Sequence, residues 1–165
     1  MRDLPVGLQV RAAVDDDWWG LVALVAGCWS EYEGCVMDAH RECADLLAPA
    51  TSYAAAGGAF WVVTDGCQNV VGAVGWKPLG SGAVEMERLY VAPRWRRLGV
   101  AGALAGMVES VAAERSAPAV ELWSDTRFEA AHAFYEGRGY VLSGPDRSLG
   151  DLSKTVEHHF VRVMP

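Results

Sequence analysis

The chain has 165 residues, 52% of them hydrophobic and 21% charged, with a net charge of −7 and a mean hydropathy of +0.10. One self-sufficient domain over residues 1–165 is expected, and long disordered stretches are excluded. The acidic balance, with a pI near 5.0, argues against a general nucleic-acid binder, which would be basic.

Lys77 and Lys154 are the only lysines beside twelve arginines, and with abundant Ala and Gly this composition points to a GC-rich bacterial source. The longest apolar run, Gly20 to Trp29, is about half of what a spanning helix needs, so no membrane association is expected. Asp15-Asp16-Asp17 precedes that run, the wrong order for a signal peptide, and a cytoplasmic location follows. Cys28, Cys35, Cys43 and Cys67 then read as reduced thiols. Cys35-x4-His40-x2-Cys43 matches no common zinc spacing, so no metal is expected.

In chain order, residues 8–13 alternate weakly and read as a first strand. Asp15–Asp17 read as caps for a helix over Trp18 to Cys28. Glu31 to Met37, with Gly34, breaks the pattern. Asp38 can cap a second helix reaching Leu47, and an Ala-rich helical piece after Pro49 reaches Ala56, where Gly57-Gly58 stop it. Residues 60–64, 70–76 and 83–91 read as strands of an antiparallel meander joined by turns at 65–69 and 80–82, and Pro93 ends it. Residues 100–114 read as a long helix, 118–123 as a strand, 129–138 as a helix ended by Gly139, and 140–142 as a strand. A polar loop over 144–153 leads to a last strand over 156–164. The two terminal strand–helix units imply parallel pairing there. Trp76 and Trp123 lie on strands and read as core.

The informative stretch is Arg94-Trp95-Arg96-Arg97-Leu98-Gly99-Val100-Ala101-Gly102. It puts three arginines within four residues of an acidic chain, between a strand and a long helix. Gly99, Ala101 and Gly102 would let a bulky anion approach free N–H groups at the helix start, a diphosphate cradle. Neither the nucleotide P-loop nor the dinucleotide fingerprint is present. On these residues alone, an arginine-rich solvated turn is the competing reading.

Arg96-Arg97-Leu98-Gly99-Val100-Ala101 resembles the Arg/Gln-x-x-Gly-x-Gly/Ala segment of the GNAT superfamily of N-acetyltransferases, which binds the pyrophosphate of acetyl-CoA. Glu85 to Pro93 resembles that family's fourth strand, and Ala131-His132-Ala133-Phe134-Tyr135-Glu136-Gly137-Arg138-Gly139-Tyr140 its Ala-x-x-Phe-Tyr-Glu-x-x-Gly-Phe/Tyr helix. Residues 124–163, through Ser124 to Phe128, Ala131-His132 and Asp151-Leu152-Ser153, resemble a bacterial subgroup without a settled substrate. The resemblance implies a mixed α/β (α+β) fold with a central, mostly antiparallel sheet of about seven strands and about four flanking helices. Phe128 stands where many members carry an Asn that contacts the cofactor arm, so those contacts must come from Arg127 or backbone groups.

The resemblance also implies roles. Acetyl transfer to an amine needs a held acyl carrier, a base for the amine, a stabilised oxyanion and an acid for the leaving thiolate. Backbone groups of Leu89, Tyr90 and Val91 would bind the cofactor arm, and the N–H of Leu89 would polarise the thioester carbonyl. Arg96, Arg97 and the backbone of Leu98, Gly99, Val100, Ala101 and Gly102 would hold the pyrophosphate, with Arg94 near the 3′-phosphate. Tyr135 is the general-acid position, suited to it because a phenol stays protonated at neutral pH; the alternative is a packed tyrosine beside Phe134. Glu85 is the candidate base and Glu87 its backup, on the same face if the strand is regular; a bulge would change that, and the alternative is that both are ordinary exposed strand acids. Trp29, Glu31 and Tyr32 are candidate acceptor-binding residues, or else a helix end whose aromatics fill the core. Cys35, His132, His158 and His159 receive no catalytic role. The implied partner is a small-molecule amine; a peptide amine acceptor and a non-catalytic acyl-CoA sensor are the alternatives. An apolar edge strand near the C-terminus would allow a homodimer.

Overall fold

The computed structural model describes residues 4–165. The chain runs through β1 (Gln9–Ala12), α1 (Trp18–Trp29), α2 (Ala39–Glu42), α3 (Pro49–Ala55), β2 (Ala59–Thr64), β3 (Val70–Pro78) and β4 (Val84–Val91). It continues through α4 (Val100–Glu114), β5 (Ala119–Asp125), α5 (Glu129–Glu136), β6 (Val141–Leu142), β7 (Arg147–Ser148) and β8 (Val156–Val163). All eight strands join one sheet in the order β1-β2-β3-β4-β5-β8-β6, with β7 added on β8. Neighbours are antiparallel except β4 and β5, which run parallel.

Strand alternation sends side chains to two helical layers. Phe60 and Val62 of β2 pack with Leu21, Leu24 and Val25 of α1 and Tyr53 of α3. Val63 of β2 packs on the opposite face with Val84 and Met86 of β4 and Val100, Leu104 and Val108 of α4. Both faces of the central strands are therefore covered, which is why residues 59–64 read as a nearly unbroken apolar run. Glycines let the layers close. A Cβ on Gly75 would lie 2.3 Å from the Tyr53 ring, and one on Gly58 would lie 1.9 Å from the Trp76 carbonyl oxygen.

The structure differs from the sequence reading at several points. The sheet has an eighth strand, because residues 147–148 of the expected polar loop pair with β8. The helix expected from Asp38 to Leu47 breaks at Cys43 into α2 and a 3-10 turn, although Asp38 does accept from the His40 and Arg41 N–H groups as a cap. Asp15–Asp17 do not cap α1 with their side chains but form their own 3-10 turn. Asp17 pairs with Arg11 at 2.7 Å, and Asp15 takes the Thr51 N–H and hydroxyl. Their charge is used to tie β1 and α3 together.

Gly58→Ala should destabilise the protein by about 3 kcal/mol or more through backbone overpacking, lowering Tm by roughly 6–12 °C. Gly27→Ala is the opposite case: its Cβ meets nothing within 4 Å in mid-α1, and the gain should be about 0.5–1 kcal/mol. Thermal denaturation of both variants checks the pair.

Candidate active site

The parallel strands β4 and β5 pair only at Val84↔Val120 and Glu85↔Glu121. β5 stays paired with β8 on its other side as far as Asp125↔Glu157. Past Glu85 the two strands separate, and a cleft of about 1050 Å³ opens between them. The divergence coincides with a bulge: β4 takes three steps from Glu87 to Tyr90 where β3 takes two, from Gly75 to Ala73. Arg88 sits in the bulge at φ +54°. Such an extra residue bends its strand and increases its twist.

One end of the cleft is the start of α4. Gly99 precedes the helix at φ +90°, with nothing within 4 Å of a Cβ position, and no side chain caps the helix. Gly99, Ala101 and Gly102 line the cleft with Arg97. The free N–H groups of that first turn suit an anion, and the missing side chains leave it room. Leu89, Tyr90 and Val91 line the wall, but the Val91 carbonyl already accepts from Arg96 Nε at 2.9 Å.

The arginines separate into different roles. Arg96 lines the cleft, yet its guanidinium is held by the Glu31 carboxylate at 2.8 and 2.6 Å. Arg94 lies outside the cleft and pairs with Asp65 at 2.6 Å. Arg127 is also outside, bound to Asp125 and to the Glu33 carbonyl. Leu98 points to solvent, and Val100 is buried against the sheet. Ion pairing holds the Arg94 and Arg127 side chains outside the cleft, whereas the expectation for Leu98 and Val100 concerns their backbone N–H groups, which an exposed and a core-packed side chain leave unaffected. Glu31 likewise faces Arg96 rather than the cleft. Arg138, which sequence reasoning passed over, does line it: its guanidinium lies 3.7 Å from a Cβ on Gly102 and pairs with Glu109. Its place three residues after Tyr135 in the helix motif was the available signal.

In mid-cleft stand Tyr135, Glu85 and Glu87. Tyr135 is buried among Phe134, Tyr140 and Phe160, and its hydroxyl has no hydrogen-bond partner among the described residues. Burial pushes its proton affinity above that of an ordinary tyrosine, so it is a donor at neutral pH. Tyr90, pushed up to about 12 by burial, accepts from the Trp29 indole at 2.9 Å. Glu85 and Glu87 both face the α3 side of β4, because the bulge falls after them. Glu87 accepts from Tyr53 Oη and from Lys77 Nζ, each at 2.8 Å. Burial and then repulsion from Glu87 push Glu85 up to about 7, partly offset by Arg147 and Lys77.

The far end is built from connecting segments. The Tyr32 and Phe128 rings pack at a tilt with centroids 4.6 Å apart. Trp123, expected in the core, lines the cleft between His159 at 4.4 Å and the Arg147 guanidinium at 4.0 Å. Trp76 is in the core as expected. Arg147, carried by β7, pairs with Glu157 at 2.7 Å. The 149–155 strap meets the segment after α1: Ser153 Oγ accepts from the Val36 N–H at 2.8 Å. Cys35 lines this end, and burial raises its thiol proton affinity, which disfavours it as a nucleophile. His132 is bonded to the Asp125 carbonyl at 2.9 Å, and burial lowers its proton affinity. No cluster suited to a metal ion occurs among the described residues.

The model of the acetyltransferase (GNAT) family matches residues 18–140. The fold is similar to that of a GNAT-family acetyltransferase from Staphylococcus aureus, at 20% identity and TM-score 0.79, covering 96% of this chain and 99% of that one. It is also similar to an acetyltransferase from Streptococcus agalactiae, at 16% identity and TM-score 0.82, with the same coverages of 96% and 99%. A PaiA N-acetyltransferase from Thermoplasma acidophilum, in complex with coenzyme A, aligns at 14% identity and TM-score 0.73, covering 92% and 97%. No curated protein sequence matches the chain significantly.

The raised Glu85 gives a stability test. Above about pH 7 its charge is buried in the folded state, whereas the unfolded state solvates it, so the folded state loses stability as pH rises toward and through 7. Glu85→Gln should therefore raise Tm relative to the native sequence at pH 8, with a smaller difference at pH 5. Calorimetry at the two pH values measures the difference.

Proposed function

The chain belongs to the acetyltransferase (GNAT) family, and from that premise we propose that it transfers the acetyl group of acetyl-CoA directly to a primary amine of a small-molecule or amino-acid-like acceptor. The observation that carries this reading is one cleft that joins an uncapped helix start, a protonated tyrosine and a carboxylate pushed up to about 7. The residues present fit the cofactor: Gly99 and Gly102 leave their first-turn positions open, and the β4 edge beyond Glu85 has no strand partner in β5.

Bound acetyl-CoA supplies an acyl group activated as a thioester. The N–H groups from Val100 to Gly102, with Arg97 and Arg138, hold the diphosphate end. The Leu89 segment presents backbone groups to the arm, as an edge strand does to an added strand. Glu85 takes a proton from the ammonium of the acceptor, so that its nitrogen attacks with a free electron pair. As the C–S bond breaks, Tyr135 gives its proton to the departing sulfur. The second proton that the acceptor nitrogen sheds on becoming an amide restores the phenol, and Glu85 releases the first to solvent, so that one amide and one thiol result. A base poised near the working pH suits this proton transfer, and a buried phenol suits the second.

The acceptor end favours a cation. Lys77, Arg88 and Arg147 are each paired with an acid there, by Glu87, Asp45 and Glu157, while Glu42 and Asp151 add negative charge to the lining. Trp29, Tyr32 and Trp123 supply aromatic surface for the acceptor's apolar part. Residues 1–165 act as one catalytic domain in this reading, and the four free thiols suit a reducing, cytoplasmic setting.

Acetyl-CoA at about 100 times its Kd should stabilise the protein by roughly 2.7 kcal/mol, a rise in Tm of roughly 5–11 °C. Gly102→Glu, which fills the cradle with like charge where the fold has room for a Cβ, should abolish the rise. An unchanged Tm at saturation defeats the reading. With a panel of primary amines, kcat/KM should climb with pH to a midpoint set by Glu85, near 7. Glu85→Gln and Tyr135→Phe should each cost about 10²–10⁴-fold.

A further inference from the structure

We propose that Tyr53 and Lys77 are positioning residues that hold the negative charge of the Glu85–Glu87 pair on Glu87, leaving Glu85 to exchange the proton in the cleft. The proposal rests on the reading of Glu85 as the base and names what selects it over its neighbour. Glu85 and Glu87 stand two residues apart on one face of β4, both part-buried, and two carboxyl groups so placed do not both ionise freely, so near neutral pH the pair holds a single proton. Its location depends on which carboxylate is better supplied with donors.

The supply is one-sided. Tyr53 Oη donates to Glu87 Oε2 at 2.8 Å, and the Lys77 ammonium lies 2.8 Å from the same oxygen. Glu85 receives no hydrogen-bond donor among the described residues. The Lys77 ammonium also rests over the Tyr53 ring, 4.6 Å from its centroid, so the two donors brace each other. Tyr53 Oη lies 3.2 Å from Asp45 Oδ2 as well. Asp45 is already satisfied by Arg88 at 3.0 and 2.8 Å, so the one hydroxyl proton goes to the shorter contact. Burial keeps Tyr53 protonated, hence a donor, throughout the neutral range.

The fold makes a slot for this contact. Gly75 of β3 stands opposite Glu87 in the ladder. A Cβ there would collide with the Tyr53 ring at 2.3 Å, so the missing side chain is what lets a tyrosine from α3 reach β4 through the sheet surface. The groups facing the pair come from every packed element: Arg88 from β4 itself, Lys77 from β3, Tyr53 from α3, Asp45 from the 3-10 turn that precedes α3, and Arg147 from β7. Lys77 and Arg147 act on Glu85 through charge, and only Tyr53 and Lys77 bond Glu87.

The test is a carboxyl titration of the full chain labelled with [δ-¹³C]glutamate, read by NMR without cofactor or acceptor. Glu85→Gln and Glu87→Gln assign the two signals. In the native sequence the near-neutral step should be carried by Glu85. In Tyr53→Phe, with the amide spectrum unchanged, the share carried by Glu87 should grow by about tenfold, the effect of one hydrogen bond to a charged group. Lys77→Met, on a half-buried side chain, should redistribute the step in the same sense and move it to higher pH, because a positive charge is lost too. It serves if Tyr53→Phe does not fold. A near-neutral step borne by Glu87 in the native sequence, or shares unchanged in a folded variant, overturns the proposal. Retained turnover in Glu85→Gln with the expected titration would instead overturn the assignment of the base.

Discussion

Everything the site contains depends on two parallel strands that pair for two residues and then part. Parallel strands need a crossover connection, and here α4 provides it. Held together at Glu85↔Glu121 and released beyond, β4 and β5 leave a gap that no other strand enters. The bulge at Arg88 gives β4 its bend, and the half-buried pairing of Arg88 with Asp45 keeps the bulge in place. Glu85 lies at the last paired position, so the proposed base stands at the apex of the opening. The uncapped start of α4 lies at its mouth.

Charge is distributed to serve that opening. The chain is acidic, yet the arginine-rich turn is not a simple cluster of positive charge. Arg94 fastens the β2–β3 turn through Asp65, Arg96 fastens the end of α1 through Glu31, and Arg97 lines the cleft. With two of three charges neutralised, the anion cradle relies on main-chain dipoles and open glycine positions more than on side-chain charge. Such donors are fixed by the fold and need no side-chain ordering when a ligand arrives. Glu85 is the reverse case, a carboxylate kept where burial costs stability because that cost sets its proton affinity near neutrality.

How far the sequence was legible follows the same division. The β2–β4 meander, α4 and the Tyr135 helix showed in periodicity and in turn residues, and the open, uncapped start of α4 showed in Gly99 and Gly102. These are local patterns, and local patterns survive in one dimension. The bulge was foreseen only as a possibility, since Glu87 and Arg88 carry no residue that signals it. Trp123 read as core because it lies on an apolar strand, and only its stacking between His159 and Arg147 shows that one side is open. The pairings that removed Arg94, Arg127 and Glu31 from the site join residues far apart in sequence, or a turn with its own cap, and spacing does not record them.

The two ends of the cleft therefore differ in kind. The donor end is made by regular elements: the edge of β4, the start of α4 and one face of α5. The acceptor end is made by the segment after α1, the 3-10 turn carrying Asp45, and the strap from residue 149 to 155, joined by single hydrogen bonds such as Ser153 to Val36 and Leu152 to Glu42. Connecting segments tolerate sequence change that sheets and helices do not. A fold built this way can keep one acyl donor while its acceptor pocket is rewritten. The same construction explains why the elements at the α4 end could be read from motifs, whereas the walls of the other end emerged only when distant segments were brought together.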